Sequence, residues 1–372
     1  MPLSGRLSHE FRLTGRVSTQ NRRYSTSPAA DSGLPRRPVL WLFLSMIVAV
    51  LILYPIAASA EDFYQGKVVS LDIGYSPGGG YDLYARVLAK YLGKHLPGNP
   101  TIVPSNMAGA GSLRAANYIY GAAAKDGTVI GTFSRSIAIT PLISSVAFDA
   151  QKFTWLGSMN TDVSVCVSWN TSPVRSWDDW MSKQFVAGGE GAGSDPDIFA
   201  LMYRNVFGSK IKLVTGYPGT SDITLAMQRG EVDGLCGISW STIKSQHPDW
   251  IAEKKINVLV QAALKKDPDL PDVPLALDLA KSDEQKQILK LLVSTQALAR
   301  PFAAPPEVPQ DRKDALRKAF DSSLSDPELR ADAQKQHLDI NPISGSSIDA
   351  LLAEIYAIPK DVAAKAAKAI TE

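Results

Sequence analysis

The groups best placed to do chemistry in this chain are backbone amides rather than reactive side chains. Four glycine-rich segments are Ser76–Asp82 (S-P-G-G-G-Y-D), Asn106–Ser112 (N-M-A-G-A-G-S), Gly188–Pro196 (G-G-E-G-A-G-S-D-P) and Gly216–Asp222 (G-Y-P-G-T-S-D). Each stands where a strand-like run gives way to a helical one. A strand that turns through glycine into a helix leaves unpaired N–H groups aimed at one spot, and the helix dipole adds to them. Such a spot suits an anion. No lysine or arginine lies inside the four segments, which favours a carboxylate over a multiply charged phosphate. Arg135, just beyond the run Thr128–Phe133, either reaches the same cleft or is solvated, and solvation is the expected state.

Catalytic equipment is sparse. The four histidines His9, His95, His247 and His337 are far apart, and no H-x-x-x-H, C-x-x-C or G-x-S-x-G pattern occurs. Gly78-Gly79-Gly80 does not satisfy G-x-G-x-x-G, and a Walker A pattern is missing. Asp162, Asp195 and Asp233 are candidates for a carboxylate pair, but acids at helix starts are normally caps. No metal or cofactor is therefore expected. The tryptophans Trp155, Trp169, Trp177, Trp180, Trp240 and Trp250 are expected in the core of a second block, with Trp240 a candidate for the cleft wall.

The elements that must position these loops alternate. Strands are expected at Val68–Tyr75, Thr101–Pro104, Thr128–Phe133, Val163–Trp169, Phe185–Gly188, Lys212–Gly216, Val232–Ile238 and Ile256–Ala263, with Gln296–Arg300 as one more, ended by Pro301. Helices are expected between them, at Tyr81–Leu92, Ser112–Ala123, Trp177–Lys183, Asp197–Phe207 and Ile223–Gln228. Beyond a Pro- and Asp-rich connection, Lys265–Pro274, helices predominate. This alternation argues for α/β architecture with largely parallel sheets. Two blocks of the same kind imply two lobes joined by crossing segments: 61–162 and 259–372 in the first lobe, 163–258 in the second.

The first 60 residues are unlike the rest, with seven arginines, two acids and an apolar run from Val39 to Ala60. Ala58-Ser59-Ala60 is a small-x-small cleavage signal, so residues 1–60 read as a lead and signal peptide with mature Glu61, or alternatively as a membrane anchor. The long stretch 1–33 is consistent with a true start near Leu34. Without residues 1–60 the formal charge moves from +2 to −3. A slightly acidic domain with no basic, aromatic-interleaved stripe excludes nucleic acid as the expected partner. An exported chain with two cysteines, Cys166 and Cys236, favours a disulfide between them, two separately buried thiols being the alternative.

In order along the chain, Tyr75–Asp82 with Ala85-Arg86, Asn106–Ser112, Asp126-Gly127-Thr128, Gly191–Ser194, Tyr217-Pro218-Gly219, Pro271–Pro274 and Arg300–Pro306 form a series of motifs. This series resembles the Bug-type extracytoplasmic solute receptors of tripartite tricarboxylate transporters. The resemblance runs from about Lys67 to Ile370 and departs at Tyr81, where a small hydroxyl residue is usual, at Met107 in place of arginine, and in a D-G-Y-T turn one residue short. It implies a two-lobed periplasmic-binding-protein-like fold of type II, closing on a small organic carboxylate between the lobes, periplasmic, monomeric, and working with membrane permease subunits. By position it implies ligand-binding roles for Tyr75, Ser76, Gly78, Gly79, Tyr81, Asp82, Asn106, Gly109, Ala110, Gly111, Ser134, Gly193, Ser194 and Tyr217. Two other classes of function compete: a ligand sensor feeding a membrane signalling partner, and an enzyme using Asp82 or Asp195 as base.

Overall fold

The computed structural model describes residues 63–371. The lead, with its signal-peptide and anchor readings, lies outside the described residues. Among those residues no helix is long and apolar enough to cross a membrane.

Among the described residues, eleven strands occur in chain order: β1 Val68–Ile73, β2 Thr101–Asn106, β3 Val129–Thr132, β4 Thr154–Ser158, β5 Ser164–Trp169, β6 Phe185–Gly188, β7 Ile211–Val214, β8 Gly234–Ser239, β9 Ile256–Ala262, β10 Pro301–Ala304 and β11 Ile343–Ser344. They build two sheets, ordered β11-β4-β10-β3-β1-β2 and β7-β6-β8-β5-β9. The helix Gly80–His95 shows how the local code works. Tyr84, Val87, Leu88 and Leu92 recur at helical spacing and are buried against the first sheet, while Asp82 in the first turn and Lys94 and His95 in the last complement the dipole.

The expectation of largely parallel sheets is corrected. β1 pairs in parallel with β2 and β3, and β6 with β7 and β8, whereas β10 runs antiparallel to β3 and β4, β11 to β4, and β5 to β8 and β9. The reason is the way the chain crosses between the sheets. Strands β4 and β9 end at the cleft, and the next strand of the other sheet, β5 or β10, begins there. A strand that begins at the cleft must oppose its neighbours that finish at it.

Gln296–Arg300 is likewise not a strand. Thr295–Leu298 continues the helix Asp283–Ser294 as a 3₁₀ turn, and β10 begins at the proline read as its terminator. Proline is tolerated as the first residue of a strand, where no ladder N–H is missed. Strand β4 lacked a clear sequence signal because Gly157 interrupts it. A Cβ there would collide with the ring of Phe320, and the ladder between β4 and β10 shifts register beside it.

Hydrophobic packing is divided between the two sheets. Phe302, Phe320, Leu88 and Leu316 cover one face of the first sheet, and Phe133, Phe153 and Trp155 pack on the other. Trp180, Phe185, Phe199 and Tyr203 fill the second, together with Leu289 and Leu292 from Asp283–Ser294 and Ala366 and Ala369 from Lys360–Ala369. The described part of 259–372 is therefore shared: those two helices lie with the second sheet, while Gln310–Ser325 and Gly345–Tyr356 lie with the first. Trp155 belongs to the first sheet, and Trp240 is a core residue beside Ile243 and Trp250. Cys166 on β5 and Cys236 on the adjacent β8 form a buried disulfide.

Candidate functional site

The glycine segments follow β1, β2, β6 and β7, at the carboxyl ends of strands where open α/β sheets bind ligands. The helix Gly80–His95 has no side-chain cap, so the N–H groups of its first turn stay open. Asp82 turns away from this opening. Its carboxylate accepts from the Gly78 N–H at 2.9 Å, Arg86 Nε at 2.9 Å and Asn106 Nδ2 at 2.8 Å, while Arg86 Nη2 also donates to Asn106 Oδ1 at 2.8 Å. Burial alone would raise the Asp82 carboxyl, but these donors outweigh it and hold it below its ordinary value. Asp82 and Asn106 thus fasten the first two loops to each other.

The second loop passes through three consecutive left-handed residues, Ala110 (φ 49°), Gly111 (φ 58°) and Ser112 (φ 68°). Gly111 is pressed against the facing loop, where an added Cβ would lie 2.7 Å from the Ser194 nitrogen. Among the described residues, the N–H groups of Ala108, Gly109 and Ala110 donate to no protein acceptor.

Two cavities lie between these loops. The outer one, about 420 Å³, is bounded by Ala108–Ser112 and Tyr75 on the first lobe and by Glu190 and Gly216–Pro218 on the second. The inner one, about 30 Å³, is room for a water or so. Tyr75 and Glu190 line both and form the partition. Tyr81 occupies the inner space. Its ring stacks on Tyr75 at 4.6 Å, the Arg300 guanidinium lies 5.1 Å over it, and its hydroxyl accepts the Arg135 N–H at 3.0 Å.

Arg135 is not solvated, contrary to expectation. It is 1% exposed, ion-paired to Asp195 across the cleft, and donates to the hydroxyls of Ser164 and Ser239. Nothing in the local sequence marks it, because its partners lie 29 to 104 residues away. Arg300, carried by a motif that had suggested no role for it, is equally buried and donates to Ser239 at 3.0 Å and Thr242 at 2.8 Å. Among the described residues its Nε has no partner. Glu190 is the other unforeseen residue. It is 6% exposed, and its carboxylate accepts from Thr220 Oγ1 at 2.8 Å. Burial first, then Asp195, Asp197 and Asp222, push its carboxyl up to about 8.

Of the expected ligand residues, Tyr75, Tyr81, Gly109, Ala110, Gly111 and Tyr217 line these cavities. The others brace the loops. Ser76 donates to Asp222 at 3.2 Å across the cleft. Ser134 caps the turn Arg135–Ala138 and lies 3.3 Å from Asp195, and Ser136 donates to the Gly193 carbonyl. Ser194 caps the helix Asp195–Phe207 and donates to Asp197 at 2.8 Å. Gly78 and Gly79 shape the first turn without lining a cavity. Asp162 and Asp233 are engaged by Ser241 and by the Val186 N–H, so no carboxylate pair forms with Asp195. Two larger crevices, about 510 and 550 Å³, open around Lys244 and Asp339, and none of the glycine segments reaches them.

A family model described as tripartite tricarboxylate transporter family receptor matches residues 84–356. The UPF0065 protein in the TAR-I ttuE-ttuC' intergenic region of Agrobacterium vitis is 24% identical over 294 residues, covering 77% of this chain and 79% of that protein. Among solved structures, the periplasmic binding protein BugD matches with a TM-score of 0.64 at 18% identity, over 78% of this chain and 95% of its own. MatC from Rhodopseudomonas palustris, with bound malate, matches at 0.63 and 20% identity over 80% and 99% of the two chains. R. palustris Rpa4515 with adipate matches at 0.63 and 17% identity over 82% and 98%. At these identities the structural likeness is one of fold.

Proposed function

The chain belongs to the tripartite tricarboxylate transporter receptor family, and on that premise we propose that it captures a small organic carboxylate outside the cytoplasm and delivers it to the permease subunits of such a transporter. The proposal includes export by residues 1–60 and a mature chain beginning at Glu61. One observation carries it. Two uncapped helix starts, Gly80 from the first lobe and Thr220 from the second, and the open amides of Ala108–Ala110 border one cleft. Each helix start contributes about 0.3–2 kcal/mol toward an anion, and the amides add direct hydrogen bonds. The outer cavity, about 420 Å³, lies within the usual range for small-molecule sites. Malate in MatC and adipate in Rpa4515 are carboxylates held by the same fold. A ligand touching both lobes binds the closed arrangement better than the open one, so capture shifts the population toward closure.

The test is thermal unfolding with a panel of carboxylates. At a hundredfold excess over Kd the true ligand stabilises by about 2.7 kcal/mol and is recovered unchanged. A panel in which no member raises the melting temperature, or a ligand that is consumed, would overturn the proposal. Tyr81 supplies a second prediction. Since its ring fills the inner cavity, Tyr81→Ser opens that space and re-ranks the panel by about tenfold or more, roughly 1.4 kcal/mol, in favour of longer members. Calorimetric titration reads this, and an unchanged ranking would count against it.

A further inference from the structure

The walls of the outer cavity differ in charge. On the first lobe stand the N–H groups of Ala108, Gly109 and Ala110, which have no acceptor among the described residues and favour an anion. The second lobe lines it with Glu190 and no lysine or arginine, and Arg114 of the first lobe is turned to the Ala108 carbonyl at 3.4 Å. Tyr75 and Tyr217 border the same space, and aromatic faces attract a cation that a carboxylate neutralises. Among the described residues, Thr220 is the sole hydrogen-bonding partner of the Glu190 carboxylate, which leaves one oxygen uncommitted although the side chain is nine-tenths buried.

Resting on the carboxylate-receptor reading, we propose that the ligand is an amino-carboxylate, its carboxylate on the amides of the second loop and its ammonium on Glu190 between Tyr75 and Tyr217. The groups facing Glu190 support this. Asp195 and Asp197 on the following helix and Asp222 beside Thr220 all raise its hold on a proton, Tyr75 brings no charge, and of the two guanidinium groups on the inner cavity Arg135 is paired with Asp195 while Arg300 lies over Tyr81. An ammonium restores the balance and releases the proton that Glu190 otherwise holds. A dicarboxylate would instead leave Glu190 holding its proton and set its second charge in the field of Asp195, Asp197 and Asp222.

The experiment uses the purified exported protein and calorimetric titration with matched sets of probes. One set is glutarate, 4-aminobutyrate and butyrate; the others extend it to neighbouring lengths and to α-amino against α-hydroxy acids. The expected result is that the amino member of at least one set binds at least about tenfold more tightly than its isosteres. Glu190→Gln, which keeps a partner for Thr220, removes that preference by weakening the amino member about tenfold more than its isosteres. In the wild-type protein the preference weakens about tenfold per pH unit below 8 as Glu190 takes up its proton. Equal or tighter binding of the dicarboxylate or hydroxy acid overturns the amino-carboxylate inference and leaves the receptor reading standing. Failure of every carboxylate overturns both.

Discussion

Asp195→Ala destabilises the receptor by about 3–5 kcal/mol and lowers its melting temperature by roughly 5–10 °C. The loss follows from where the pair lies. Arg135 and Asp195 are 1% and 5% exposed, and removing the carboxylate leaves a guanidinium out of water with only hydroxyls and a carbonyl around it. Breaking a buried pair costs far more than replacing both of its members, because the orphaned charge keeps its desolvation penalty. The double replacement Arg135→Met with Asp195→Leu therefore loses less than either single change, a coupling that a double-mutant cycle reads directly. A single-variant loss below about 1 kcal/mol would mean that the two side chains are solvated and apart in solution.

Reduction of the Cys166–Cys236 disulfide, or the double change to alanine, costs about 4 kcal/mol in the chain-entropy account, since the bridge closes a separation of 70 residues. Guanidinium unfolding of the oxidised and reduced protein measures this as a shift in midpoint. Both cysteines are fully buried on neighbouring strands, so thiol reagents find nothing in the folded, oxidised state. Equal midpoints would show that the second sheet is held by its packing alone.

Sequence patterns located the glycine loops because their signal is local. Ser-Pro-Gly-Gly-Gly and Ala-Gly-Ala-Gly announce turns whatever surrounds them, and the helix after each has a readable apolar face. They did not reveal what those loops do to one another. Asp82 and Asn106 were expected at the ligand; their polar atoms meet across a sequence separation of 24 and brace the first two loops. Arg135 was misplaced in solvent, and Arg300 and Glu190 went unread, for the converse reason. A charged residue is called buried only when its partners are known; those of Arg135 and Arg300 come from the other lobe, and that of Glu190 from a loop 30 residues on. The antiparallel strands were missed on similar grounds: strand direction depends on which end of the sheet the chain enters, which no periodicity records.

The position of β10 has a consequence for how the molecule is made. This strand lies between β3 and β4 in the first sheet, yet Phe302 is 170 residues beyond its partner Thr132. The second sheet draws all its strands from Ser164 to Ala262. Contacts so remote in sequence carry a larger closure entropy and form slowly. In a chain emerging from its N-terminus, the half made first waits for a strand made late. The second lobe has its full set of strands before then, whereas the first lobe, and with it the cleft, matures only when residues beyond Pro301 arrive.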